Sequence, residues 1–186
     1  MSFHYEIRLS GEGGQGLVLA GKILAEAAAI YDGINATQSQ SYGPEARGGA
    51  SRSEVILSDG DIDFPKAQNL DLLLALTQES CDKYARDLKP GGLLLVDEDA
   101  VQNVPEGQFR VWRIPMIRLA REKLGRQIVA NMIALGVITQ AAGIVSEEAV
   151  RNAILARVPK GTEQINIEAF ELGVSLAKEM AAQSQA

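Results

Sequence analysis

Six residues, Gly11-Glu12-Gly13-Gly14-Gln15-Gly16, restrict what this chain can fold into more than any other segment. They satisfy G-x-G-x-x-G spacing through Gly11, Gly13 and Gly16. They also join an alternating run at residues 5–10 to a segment with Leu17, Ala20, Ile23, Leu24 and Ala27 on one helical face. A strand that turns through glycines into a helix is the opening unit of an α/β domain. Glycines allow the tight turn and a close approach of backbone N–H groups, and the helix end adds partial positive charge. Such a loop therefore suits a phosphate or a carboxylate. The same glycines can serve strand–helix packing alone, and the residues by themselves leave both readings open.

Further strands are expected at residues 35–41, 50–57, 71–77, 93–96 and 110–114. A helix is expected at 17–30 and another at 78–88, the latter stopped by Lys89-Pro90-Gly91-Gly92. The run at 71–77 is continuously apolar, as in a strand covered on both faces. From Pro115 onward the pattern is helical, over 116–124, 128–142, 146–157 and 163–182. The reading is one α/β domain over residues 1–186, with a mainly parallel sheet and a helical C-terminal third. The helix at 128–142 is apolar nearly all round and belongs in a core or an interface.

A dinucleotide site would want a carboxylate near the end of the second strand. Residues 37–41 are Thr-Gln-Ser-Gln-Ser, and Asp32 precedes the strand, so that reading is set aside. The formal net charge of −6 argues against nucleic acid. No apolar run is long enough to span a bilayer and the N-terminus lacks signal-peptide character, so the expected location is the cytoplasm. Cys81 is the single cysteine, which excludes an internal disulfide and a cysteine-bound cluster. His4, the only histidine, reads as a surface residue. Asp59-Gly60-Asp61-Ile62-Asp63 reads as a turn, and Asp97-Glu98-Asp99 as a capped turn past a strand.

The second unusual stretch is Ser41-Tyr42-Gly43-Pro44-Glu45-Ala46-Arg47-Gly48-Gly49. A loop after the second strand of a parallel sheet lies at the carboxyl edge, where ligands bind. There it would face the glycine loop. Arg47 could offer paired donors to an anion, and Tyr42 a stacking face. A solvated turn is the plainer alternative.

Together, the motif at 11–16 continued by Ala20-Gly21 and the motif at 41–49 resemble the gamma subunits of 2-oxoacid:ferredoxin oxidoreductases. The nearest branch is the 2-oxoglutarate type, the 2-oxoglutarate synthases. Stretches 53–58, 71–78 and 131–136 extend the resemblance over nearly the whole chain. It implies a Rossmann-like three-layer domain in a complex that decarboxylates a 2-oxoacid on thiamine diphosphate. Electrons would pass through iron–sulfur clusters to ferredoxin, and the acyl group to coenzyme A. Pyruvate, branched-chain 2-oxoacids and indolepyruvate are the alternative substrates. The resemblance places thiamine diphosphate, magnesium and the clusters on alpha and beta subunits or a ferredoxin-like delta subunit, and none on this chain. In agreement, the chain lacks the Gly-Asp-Gly…Asn pattern for magnesium diphosphate. The expected binding residues are Gly11, Gly13, Gly14, Gln15, Gly16, Tyr42, Arg47, Gly48 and Gly49, beside coenzyme A or a partner interface; no catalytic residue is expected. Self-association is a further option. Two rivals remain: a free-standing nucleotide- or coenzyme-binding module, and a structural subunit whose loop holds nothing.

Overall fold

Two-sided burial of the central strands organises the molecule. The computed structural model describes residues 2–42 and 49–186. In chain order the strands are β1 (His4–Glu12), β2 (Asn35–Tyr42), β3 (Ala50–Ser58), β4 (Leu70–Ala75), β5 (Leu88–Asp97) and β6 (Arg110–Ile114). They form one six-stranded sheet in the order β2-β3-β1-β4-β5-β6. β1, β4, β5 and β6 pair in parallel, whereas β3 runs antiparallel to both β1 and β2. The sheet is mainly parallel, as its pattern predicts, with β3 inserted against the grain. Chain length explains the insertion. Too few residues separate β2 from β3 for a parallel crossover, which needs about a dozen or more.

Alternation along β4 divides the core. Leu72 and Leu74 point to one face, against α1 (Leu17–Glu26), α4 (Ala130–Ala142), α5 (Glu147–Arg157) and α6 (Glu163–Ser184). Leu73 and Ala75 point to the other, where α2 (Gln78–Tyr84) brings Cys81 and Tyr84 onto Leu94 and Val96. The result is the three-layer arrangement. α3 (Met116–Leu124) follows β6 and buries Met116 and Ala120.

The helical third is not a loose appendage. α4 is buried from Ala130 to Thr139 because α1, α3, α5, α6 and β4 all touch it. Its all-round apolar character is thus answered within this chain. α4 and α6 approach through glycines. A β-carbon on Gly136 would strike the Phe170 carbonyl oxygen, and one on Gly173 the Ile133 carbonyl oxygen. The first helix continues past Glu26 as a π-helical turn, Ala27–Tyr31. It is then tied to α5: the Asp32 carboxylate accepts from the Ser146 N–H at 2.7 Å and the Ser146 hydroxyl at 3.0 Å.

One boundary differs from expectation. Lys89-Pro90-Gly91-Gly92 does not stop a helix; it lies inside β5, and α2 has already ended at Tyr84. The β4–β5 ladder shifts between Leu70 and Leu72, so Pro90, which lacks an N–H, sits where pairing is interrupted.

Gly136→Ala pushes two helix backbones apart. The expected cost is about 1–3 kcal/mol, read as a lowered urea midpoint with an unchanged slope.

Candidate functional site

The two glycine segments meet. Glu12 pairs with Ala50 at the end of the β1–β3 ladder, and the Gly13 N–H donates to the Gly49 carbonyl at 2.7 Å. β2 runs in the direction of β1, so the connection at 43–48 leaves from the same sheet edge as the glycine loop. Arg47 and Gly48 lie outside the described residues. Tyr42 is described as backbone only, paired with Ser51 at the last step of the hairpin ladder.

Within the loop, Gly14 and Gly16 have φ values of 88° and 75°, in the left-handed region. Gln15 folds back, its Oε1 accepting from the Glu12 N–H at 2.7 Å. A β-carbon on Gly11 would displace that amide and press on Leu17 and on the Leu76 β-carbon, each at 3.2 Å. The Gly16 carbonyl accepts from the Ala20 N–H at 3.1 Å and from Asn131 Nδ2 at 3.1 Å. α4 thereby clamps the turn. No side chain caps α1, and its first turn carries no carboxylate. Its amide end is therefore electrostatically open to an anion.

Beside the loop is a cleft of about 150 Å³, lined by Gly14, Gln15, Leu76, Ile117, Gln127 and Ile128 among others. It sits past the ends of β1 and β4. There the strand order changes direction, β3 and β2 lying on one side of β1 and the parallel strands on the other. Ligands of open α/β sheets bind at such a switch point.

The other weighed residues have structural employment. Asp97, fully buried at the end of β5, accepts from the N–H groups of Asp99, Ala100 and Ile117 at 3.1, 3.0 and 2.9 Å. Glu98 and Asp99 pair with Arg118 on the surface. Cys81 is buried, and burial pushes its thiol up from the ordinary range, so it is poorly placed as a nucleophile. Half-exposed His4 lies 3.9 Å from Glu6. Asp59 accepts from the Phe3 N–H at 2.9 Å. Among the described residues no group of three or more His, Cys, Asp or Glu side chains could hold a metal ion.

Sequence reasoning missed a buried charge network. Arg8 on β1, 4% exposed, pairs with Asp87 at 2.6 Å and with Glu54 at 3.1 Å, and donates to the Ala67 carbonyl at 3.1 Å. Its guanidinium lies 4.8 Å from the Tyr84 ring centroid, and that of Arg52 lies 5.6 Å from it. Arg52 Nε also donates to Ser41 Oγ at 3.1 Å. The network pins α2 to the sheet and ties in the turn end of the β2–β3 hairpin. The available signal was a charged residue inside each of two strands, but facing positions become evident only with the register.

Gly16→Ala forces a side chain into the left-handed region and onto Asn131. The expected loss is about 1–2 kcal/mol; Asn131→Ala should relieve the collision, so the double variant, compared with Asn131→Ala alone, should show a smaller loss in urea unfolding.

Comparison with known proteins places this architecture. The family model for pyruvate ferredoxin/flavodoxin oxidoreductase matches residues 6–176. The 2-oxoglutarate synthase subunit KorC of Methanocaldococcus jannaschii is 54% identical over 177 residues, covering 94% of this chain and 95% of that protein. The crystal structure of a keto/oxoacid ferredoxin oxidoreductase gamma subunit from Geobacter sulfurreducens PCA superimposes with a TM-score of 0.85 at 55% identity, covering 94% of this chain and 99% of that one. The ketoisovalerate oxidoreductase subunit VorA of Methanothermobacter thermautotrophicus is 35% identical over 93% of this chain, which accounts for 36% of the longer VorA protein.

Proposed function

The chain belongs to the pyruvate ferredoxin/flavodoxin oxidoreductase family, and we propose that it is the gamma-type subunit of a 2-oxoglutarate synthase, serving coenzyme A rather than the redox centres. The observation that carries the reading is end-to-end identity of 54% with a 2-oxoglutarate synthase subunit. Relatives named for other 2-oxoacids stand lower, at 35% for ketoisovalerate and 27% for indolepyruvate. The VorA comparison supports a role in assembly, since there the equivalent segment is about a third of a longer oxidoreductase chain.

The family's chemistry joins a 2-oxoacid and coenzyme A into an acyl-CoA with release of carbon dioxide, a proton and two electrons, using thiamine diphosphate and iron–sulfur clusters. The residues of this chain do not fit those groups. A cluster held by thiolates takes four cysteines, and Cys81 stands alone and buried. We therefore assign thiamine diphosphate, magnesium and the clusters to alpha and beta subunits or a ferredoxin-like delta subunit, with ferredoxin as acceptor, in the cytoplasm. No helix among the described residues is long and apolar enough to cross a membrane.

This chain's own part is to bind and orient. The Gly13 N–H is committed to the Gly49 carbonyl and the Gln15 N–H to Glu12, so the amides of Gly14 and Gly16, with the uncapped start of α1, are the groups that favour a phosphate or carboxylate by hydrogen bonding and by the helix dipole. Gly11 and Gln15 keep the turn tight. Gly49 is held to Gly13, and this supports the reading in which Arg47 and Tyr42 would meet the same anionic ligand and Gly48 would allow close approach. The loop moves no proton and no electron.

In the assembled enzyme, Arg47→Ala should raise the half-saturating concentration of coenzyme A about tenfold or more, as loss of a charge-assisted contact does, while the half-saturating 2-oxoglutarate concentration stays unchanged. Equal coenzyme A dependence in the variant and the parent, with normal assembly, would contradict the assignment.

A further inference from the structure

The surface beside the switch-point cleft differs from the rest of the chain in charge and in polarity. Residues 118–126 carry four cationic side chains and one carboxylate, in a protein whose formal net charge is −6. Arg118 is engaged by Glu98 and Asp99. Arg121, Lys123 and Arg126 are exposed and lack an ion-pair partner among the described residues. The C-terminal end of α3 accounts for cations at Arg121 and Lys123, since they complement the helix dipole. It does not account for Arg126, which lies beyond the left-handed Gly125 that ends the helix.

Two residues on from Arg126, Ile128 is 48% exposed although it begins the most buried part of the chain. Ile128 lines both the 150 Å³ cleft and a second, mostly apolar groove of about 270 Å³, which Leu19, Val158 and Ile165 also line. Arg126 stands at the rim of that second groove. An exposed apolar knob between two hollows, bordered by unpaired cations, is the composition of a protein contact: an apolar centre with a charged rim, rich in Arg. A small anion would be served by a concave set of donors and would leave a protruding isoleucine unused.

We propose that Arg121, Lys123, Arg126 and Ile128 form the surface on which the catalytic partner of this chain docks, through a partner segment that offers carboxylates around an apolar side chain seated in the groove beside Ile128. Charge complementarity carries the choice of occupant: the strip is cationic, so the surface it receives is acidic. The proposal rests on the reading of this chain as a subunit of a larger oxidoreductase. It adds which face is covered, and it sets that contact next to the glycine loop, because Gly14, Gln15 and Ile128 line one cleft.

The test uses the affinity-tagged full-length chain co-expressed with its oxidoreductase partners and purified anaerobically. Arg126→Glu with Lys123→Glu should lower partner retention about tenfold or more, and Ile128→Asp should do the same. Ile128→Asp should keep the parent's thermal unfolding midpoint, since Ile128 is exposed; the charge-reversal variant should lose a few degrees at most, from the α3 dipole that Lys123 complements, and stay folded at the assay temperature. Raising salt should strip the parent of its partners before it affects the circular dichroism of the chain. Partner retention equal to the parent in both variants at every salt concentration would overturn the docking surface while leaving the subunit reading intact. So would intact assembly with only the coenzyme A dependence weakened, which would make the strip a small-anion site. A parent chain that brings no partner subunits would overturn the subunit reading and the docking surface with it.

Discussion

The hydrogen bond from the Gly13 N–H to the Gly49 carbonyl, 2.7 Å long, closes the end of the β1–β3 ladder and sets what the carboxyl edge of the sheet can do. It exists because β3 is inserted antiparallel between β2 and β1. In a doubly wound sheet whose second strand lies directly beside the first, the ribose-binding position would fall next to the glycine loop. Here that neighbour is β3, and Gly49 at its entry takes that place. The structural reason the chain does not read as a dinucleotide binder and the reason its two glycine motifs adjoin are therefore the same register.

A buried electrostatic network supports that register from the opposite face. Arg8 and Glu54 are direct cross-strand partners, and Asp87 and the Tyr84 ring close over them from the segment after β4. Desolvating such charges is costly, and mutual pairing offsets it only when geometry is good. What the arrangement supplies is specificity. A slip of β3 by one residue against β1 would turn Glu54 to the α1 face and set Val55 opposite the buried Arg8.

Much of this was legible in the sequence, for identifiable reasons. Helices α3, α5 and α6 fall within a few residues of expectation because each has a clear start: Pro115 before α3, a capping Ser146 before α5, Thr162 before α6. The contact of Gly49 with the glycine loop agrees with the placement of the two motifs after β1 and β2. Pro90 and the glycines around it misled because their usual meaning is a stop, and only the β4 ladder shows them accommodated as an irregularity within β5. Arg8, Glu54 and Asp87 were missed since single charges in a strand say nothing of what lies opposite. The hollow flanking Ile128 depends on how α1, α4 and α6 converge, which no local pattern carries.

Anaerobic purification of the tagged chain from its native cell, followed by an assay of acyl-CoA formation, tests the central claim most directly. The account predicts an eluate with partner subunits that reduces a low-potential dye only when a 2-oxoacid and coenzyme A are both present, with 2-oxoglutarate preferred over pyruvate. A chain that elutes alone and binds a nucleotide or coenzyme tightly by itself would contradict it, and would make this domain a free-standing binding module.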